Sequence, residues 1–221
     1  MRSCYMCEDP AESSEHVPPK CFFPERKDLG SYRDYRQNLI TVPSCKRHNL
    51  SKSKDDEYLL FVVVGHWENN EVAQRLFSTK ILRAIRGRPR KRQVYLRQWV
   101  RARVGSMTTG APVVDRGRFD ESMACVARGL HFHHFDGEQW TADIWVETGA
   151  LVLVGGIDFE QRSARLQALE LLSAKYLKNK PWLGDNPAVF CYQIYRDEDT
   201  THLLVRMRFY QGFTVLAAPA M

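Results

Sequence analysis

The chain of 221 residues has no apolar run approaching the ~20 residues that cross a bilayer, and its opening Met1-Arg2-Ser3-Cys4 has no apolar core of the kind a secretion signal carries. Neither a membrane span nor export is expected, which makes the cytoplasm the expected compartment. Six cysteines are few for a disulfide scaffold of this length, and in a reducing compartment they are expected as thiols or metal ligands. Internal repeats and low-complexity tracts are also lacking, which argues against solenoids and linker-dominated chains. Periodic apolar runs are scarce before Tyr58, so residues 1–45 are expected to lack a conventional hydrophobic core. What remains is a globular composition, 44% hydrophobic and 26% charged, at a length that suits one generous domain or two small ones.

Acidic residues are in short supply in the front half. Residues 1–100 hold 19 Lys and Arg against 12 Asp and Glu, whereas residues 101–221 hold 13 against 14, so the formal charge of +6 comes from the front. A polyanion would be met there. The densest stretch, Arg83 to Arg97, includes Arg88, Arg90, Lys91 and Arg92 around Pro89. Proline removes a donor and disfavours helix at Arg88, so an exposed basic loop is expected, suited to phosphate contact or simply to solvation.

The cysteines are not scattered evenly. Cys4 and Cys7 form one C-x2-C pair and Cys45 and His48 a C-x2-H pair, together the four donors of a closed structural Zn2+ site. Binding energy at such a site is folding energy, which would compensate for the poor core of the segment. Cys21, Cys125 and Cys191 stand alone and are read as buried small hydrophobes. Between the two pairs lie Glu15-His16 and Asn38-Leu39, and Asn49 and Lys52 follow the second. His16, with a reference pKa of ~6.5, suits a general base at neutral pH. Glu15 and Asn49 are oxygen donors of the kind Mg2+ prefers. Asn38 is placed to hydrogen-bond the backbone of the segment carrying His16, and Lys52 to meet a phosphate.

Taken together, Cys4-Tyr-Met-Cys7, Glu15-His16, Asn38-Leu39 and Cys45-Lys-Arg-His48-Asn49-Leu-Ser-Lys52 resemble the zinc-stapled HNH endonucleases of the ββα-metal type, over about a quarter of the chain. Glu15 stands where the pattern has aspartate, His48 where it has the fourth cysteine, and Asn49 where it has the second histidine, as in the H-N-N form. The resemblance implies a treble-clef-like module and metal-dependent hydrolysis of phosphodiester bonds, with DNA favoured over RNA. His16 would be the general base, Asn38 its support, and Glu15 with Asn49 the ligands of a catalytic Mg2+ or Mn2+. A role in restriction or phage defence and a pairing of two chains are further expectations of the same origin. The rival expectation is a non-catalytic zinc module that binds nucleic acid or protein; it would keep the zinc ligands and have no use for Glu15, His16 and Asn49 together.

The expected fold class is α+β: the zinc-stapled module over 1–67, a basic helix and linker over 68–112, and an antiparallel α+β domain over 113–221 of unread role. Helices are expected from Cys45 to about Val64 and from an Asn70 cap to Arg86. Gln93–Val104 reads equally as strand or helix, and Gly105–Pro112 as linker by composition. Beyond it, Asp120–Arg128 reads as a short helix stopped by Gly129, and a longer helix is expected from Asp158 through Tyr176. Strands are expected at Trp140–Glu147, Ala150–Val154, Ala188–Tyr195, Leu203–Tyr210 and Phe213–Ala217. On a strand, His131 and His133 would share a face, but with only Asp136 at ligand spacing they and His134 are read as surface or hydrogen-bonded histidines.

Overall fold

The computed structural model describes residues 2–29, 33–50, 53–87, 99–104, 107–151, 158–197 and 203–220. Near the N-terminus, strands β1 (Ser13–His16) and β2 (Thr41–Ser44) pair antiparallel, with Glu15 opposite Val42 and His16 opposite Thr41. A 3-10 turn at Lys20–Phe22 and helix α1 (Arg26–Leu29) lie between them. Helices α2 (Lys46–Leu50) and α3 (Ser53–Val64) occupy the helical stretch expected after Cys45. Every residue from Tyr58 to Val64 is buried. A stretch apolar on all sides can only sit in the interior, so the C-terminal half of α3 is packed into the core while its acidic start reaches the surface.

Asn70 caps the next helix as expected, its side-chain oxygen accepting from the Val72 and Ala73 amides at 3.1 and 3.3 Å. That helix runs as α4 (Glu71–Leu76), a π-helical stretch over Phe77–Ile81 and α5 (Leu82–Gly87). Arg88, Arg90, Lys91, Arg92 and Lys52 lie outside the described residues. The expected linker is not one: β3 (Trp99–Val104) and β4 (Met107–Pro112) form an antiparallel hairpin with Val104 opposite Met107. Thr108 and Thr109 are strand formers, and pairing satisfies backbone groups that a free linker would leave to water. The ambiguous segment before it is thus strand from Trp99 onward.

The short helix expected at Asp120–Arg128 is longer, α6 (Arg116–His134), with Asp115 as its cap. Gly129 does not stop it. A Cβ there would lie 2.6 Å from Val17 Cγ2, so glycine is what allows the helix to seat against the chain just after His16. Consequently His131, His133 and His134 lie on the last turns of a helix, not on a strand.

Strand β5 is Ile144–Glu147, shorter than expected; of the further strand expected at Ala150–Val154, Ala150 and Leu151 lie in a turn and bend, and residues 152–154 lie outside the described residues. Helix α7 (Asp158–Tyr176) follows. Then come β6 (Leu183–Asn186), which turn-like Gly184, Asp185 and Asn186 concealed, and the expected trio β7 (Phe190–Arg196), β8 (Leu203–Phe209) and β9 (Phe213–Pro219). They make a five-stranded sheet in the order β5-β9-β8-β7-β6, antiparallel at every pairing.

The alternation of β8 divides the core. Leu203, Val205, Met207 and Phe209 face a large cluster that also contains Tyr5, Val17, Phe22, Phe23, α3 and α6. Leu204, with Leu216 and Ala218 of β9, faces a smaller one closed by Leu169 and Leu177. The first 45 residues therefore do contribute to a core, one they share with the sheet: Tyr210 donates from its buried hydroxyl to the Phe22 carbonyl at 2.6 Å. Isolated aromatics such as Phe22 and Phe23 carry no periodicity, which is why that burial is not legible locally.

Candidate metal centre and the adjoining cavity

The β1–β2 pairing and the start of α2 bring the two ligand pairs together. Cys4, Cys7, Cys45 and His48 present four donor atoms all within 4.8 Å of one another. His48 Nδ1 lies 3.4, 3.6 and 3.3 Å from the sulfurs of Cys4, Cys7 and Cys45, and the Cys7 and Cys45 sulfurs are 3.8 Å apart. A tetrahedral ion with bonds of ~2.3 Å to sulfur and ~2.0 Å to nitrogen has edges of roughly 3.8 Å between sulfurs and 3.5 Å from sulfur to nitrogen. The observed spacings match those edges. Three thiolates and an imidazole can hold a metal ion here.

The backbone of the first knuckle is clamped from the far side of the chain. Gln139, just past α6, donates its side-chain amide to the carbonyls of Cys4 and Cys7 at 2.7 and 2.8 Å. No spacing rule points to Gln139, because 135 residues separate it from Cys4 and only the seating of α6 brings it there.

Beside the metal centre is a cavity of about 240 Å³. Glu15, His16 and His48 line it, with Asp55 and Asp56 from α3 and Glu121 from α6. His16 is half-buried, and burial first, then Lys20 and Arg36, hold its imidazole below the usual histidine range against the opposing pull of Glu15. It is neutral at pH 7. Glu15 accepts from the buried Tyr5 hydroxyl at 3.4 Å, and Asp55 pairs with Arg118 at 2.5 Å. The acidic start of α3 would pass in sequence for ordinary helix-start chemistry, so nothing local marks Asp55 and Asp56 as cavity residues.

The other expected site residues sit apart from the cavity. Asn49 lies on α2 with its side-chain amide donating to Ser13 Oγ at 2.8 Å, which ties the helix to β1. Asn38 is exposed, with φ of 52°, the left-handed region that asparagine tolerates in turns. Among the described residues no hydrogen bond joins it to the segment carrying His16. Instead the Val17 amide donates to the Ile40 carbonyl at 3.0 Å, a backbone contact that fixes that segment.

Of the lone cysteines, Cys191 is buried and Cys21 and Cys125 partly so. Burial pushes the Cys21 thiol up to about 12, leaving it protonated. His131 is buried and shares a hydrogen bond of 3.0 Å with the Glu138 carbonyl through Nδ1. No helix among the described residues is long and apolar enough to cross a membrane. Comparison with protein-family models, curated proteins and solved structures gives no match.

Proposed function

We propose that the chain is a metal-dependent endonuclease of the HNH type, with Zn2+ on Cys4, Cys7, Cys45 and His48 as a structural staple and DNA as the substrate. The single observation that carries this reading is the placing of a neutral histidine, His16, and a carboxylate, Glu15, in one cavity that borders the metal centre. A closed tetrahedral site spends all its positions on protein ligands, so the chemistry falls to the cavity beside it.

The carboxylates of Glu15, Asp55, Asp56 and Glu121 supply the hard oxygens that a divalent cation of the Mg2+ class takes. In this reading Glu15, with the other cavity carboxylates, would hold such a cation, which would supply neutralisation of negative charge on the scissile phosphate; Asn49, tied to Ser13 outside the cavity, would instead fix α2 against β1. His16 accepts a proton from water at an imidazole nitrogen as that water attacks phosphorus; the P–O bond to one strand oxygen breaks, and the departing oxygen takes a proton from solvent. The Val17 to Ile40 backbone bond and the seating of Val17 on α6 keep His16 in place. The basic stretch around Arg88, Arg90, Lys91 and Arg92, together with Lys52, holds the phosphate backbone, in keeping with the positive front half.

The test is cleavage of plasmid DNA by zinc-loaded protein with Mg2+ or Mn2+, with EDTA, and by His16→Ala. The expected result is cleavage that needs the divalent ion and falls ~10^2 to 10^4-fold in the variant, with zinc content and DNA binding retained. Undiminished cleavage by His16→Ala would sink the mechanism. A non-catalytic zinc module draws support from the engagement of Asn49 by Ser13, and binding of DNA or of a protein without any cleavage by the wild type would favour it.

A further inference from the structure

The face of the sheet that α7 covers changes character partway along β8. Leu204 is buried under the helix, but the next two residues on that face are Arg206 and Arg208. They floor a second cleft of about 500 Å³, walled by Glu170 and Ser173 of α7, by Trp182 and by Leu216 of β9, with Glu68 and Glu147 also lining it. That volume lies within the roughly 300–1,000 Å³ typical of small-molecule sites.

The two guanidinium groups are held in position but not neutralised. Arg206 donates to Gln193 Oε1 at 3.1 Å and, from Nε and Nη2, to the Ser173 hydroxyl. Arg208 stacks on the Trp182 ring at 3.9 Å, and its Nε is buried without a hydrogen-bond partner among the described residues. Among the described residues neither arginine has an ion pair. Burial, and then the neighbouring Arg208, both lower the Arg206 pKa. Close by, Arg116, Arg162 and Arg165 do the opposite, gathering around the buried Glu147 carboxylate at 3.3, 3.5 and 3.9 Å. That cluster has its anion within ion-pair distance; among the described residues Arg206 and Arg208 do not, although Glu68, Glu147 and Glu170 line the same cleft, Glu147 held by its three arginines and Glu68 lying 3.5 Å from His66.

We propose that this cleft is a binding site for a small phosphate monoester, its dianionic phosphate seated on Arg206 and Arg208. Two adjacent guanidinium groups match two negative charges, and the terminal oxygens of a phosphate outnumber those of a carboxylate as acceptors for the remaining N–H groups. Planar forks fixed by Ser173, Gln193 and Trp182 are already oriented, so little ordering is lost on binding. The remaining volume accommodates an organic group of nucleoside size.

The test is calorimetric titration of the full-length chain with inorganic phosphate and with adenosine 5′-monophosphate. One site per chain is expected, weakened about tenfold or more in Arg208→Gln and less in Arg208→Lys, because the loss is of charge-assisted hydrogen bonds. Arg206 also supports Ser173 and Gln193, so Arg208 is the cleaner probe. Equal affinity in wild type and Arg208→Gln, or no binding of either probe to the wild type, overturns the proposal. So does loss of binding when Arg88, Arg90 and Arg92 are changed to glutamine, since the phosphate would then sit on the basic stretch. Displacement of inorganic phosphate by a single strand lacking terminal phosphate would assign the cleft to nucleic acid and overturn it as well. Retention of binding in the triple variant, with no displacement by that strand, is the supporting outcome.

Discussion

Single atoms decide how closely α6 approaches His16. Gly129→Ala should raise the intrinsic helix preference of α6 by about 1 kcal/mol, yet the new methyl would meet Val17 Cγ2 at 2.6 Å and Cγ1 at 3.0 Å. A branched side chain locked in a core has nowhere to turn, and overpacking of this kind costs about 1–3 kcal/mol. The clash should win, lowering the unfolding midpoint, and Val17→Ala in the same chain should recover part of the loss. A stabilised single variant, or a double variant no better than the sum of the two, would show that the contact is loose. His131 gives a second prediction at this scale. Burial holds its pKa below the unfolded value near 6.5, and Arg196 and His134 push the same way against Glu138. Below that value the unfolded chain takes up a proton that the folded chain resists, so stability is present above pH 6.5 and is lost as pH falls. The thermal midpoint should drop between pH 6.5 and 5.5, less steeply in His131→Gln; parallel slopes for the two proteins would rule His131 out as the source.

At the scale of elements, the four-donor cluster is a joint between four pieces of chain: the first knuckle, β2, α2 and the segment after α6. Cys45→Ser should abolish stoichiometric zinc and unfold the β1–β2 hairpin, read by elemental analysis and by proteolysis. Gln139→Ala should leave zinc bound but expose the knuckle, because the Cys4 and Cys7 carbonyls lose their donor, a cost of about 1–3 kcal/mol. Faster transfer of zinc to a chromophoric chelator is the expected readout, and an unchanged rate would mean that Gln139 is not part of the clamp. Gly212 marks another joint. A Cβ there would lie 2.4 Å from the Glu68 carbonyl oxygen, a backbone atom that cannot rotate away, so the β8–β9 turn and the segment after α3 meet at a position only glycine fills.

Across the whole molecule, the hydrophobic core joins what the sequence divides. Tyr58 of α3 exchanges hydrogen bonds with the backbone of Asp115 at the start of α6, Arg118 lies over its ring at 4.2 Å, and Phe22 stacks with Tyr210 at the end of β8. Removing residues 113–221 would expose the apolar sides of α3 and of the N-terminal aromatics together. A fragment of residues 1–110 should therefore be aggregation-prone even when loaded with zinc, whereas the full chain should unfold in one transition. A soluble fragment with dispersed NMR signals, or two separated calorimetric transitions in the full chain, would contradict this.

What could be read before any coordinates were those features whose cause is local. The C-x2-C and C-x2-H pairs announce a four-donor cluster that can hold a metal, because ligand spacing is a property of a few consecutive residues. Helix α7 and strands β7, β8 and β9 announce themselves by apolar periodicity, and Asn70 by its capping chemistry. Tertiary structure decided the rest. Gly129 reads as a helix stop until Val17 is seen beside it, and Gly105–Pro112 reads as a linker until Trp99–Val104 is found to pair with it. Asp55, Asp56, Glu121 and Gln139 join the site only through long-range packing of α3 and α6. Arg206 and Arg208 carry no local mark of a site, and only the arrangement of α7 and Trp182 with them makes a cleft. A local pattern fixes what a segment can be, but which distant segment it meets is set by packing of the whole core, and that meeting creates both cavities.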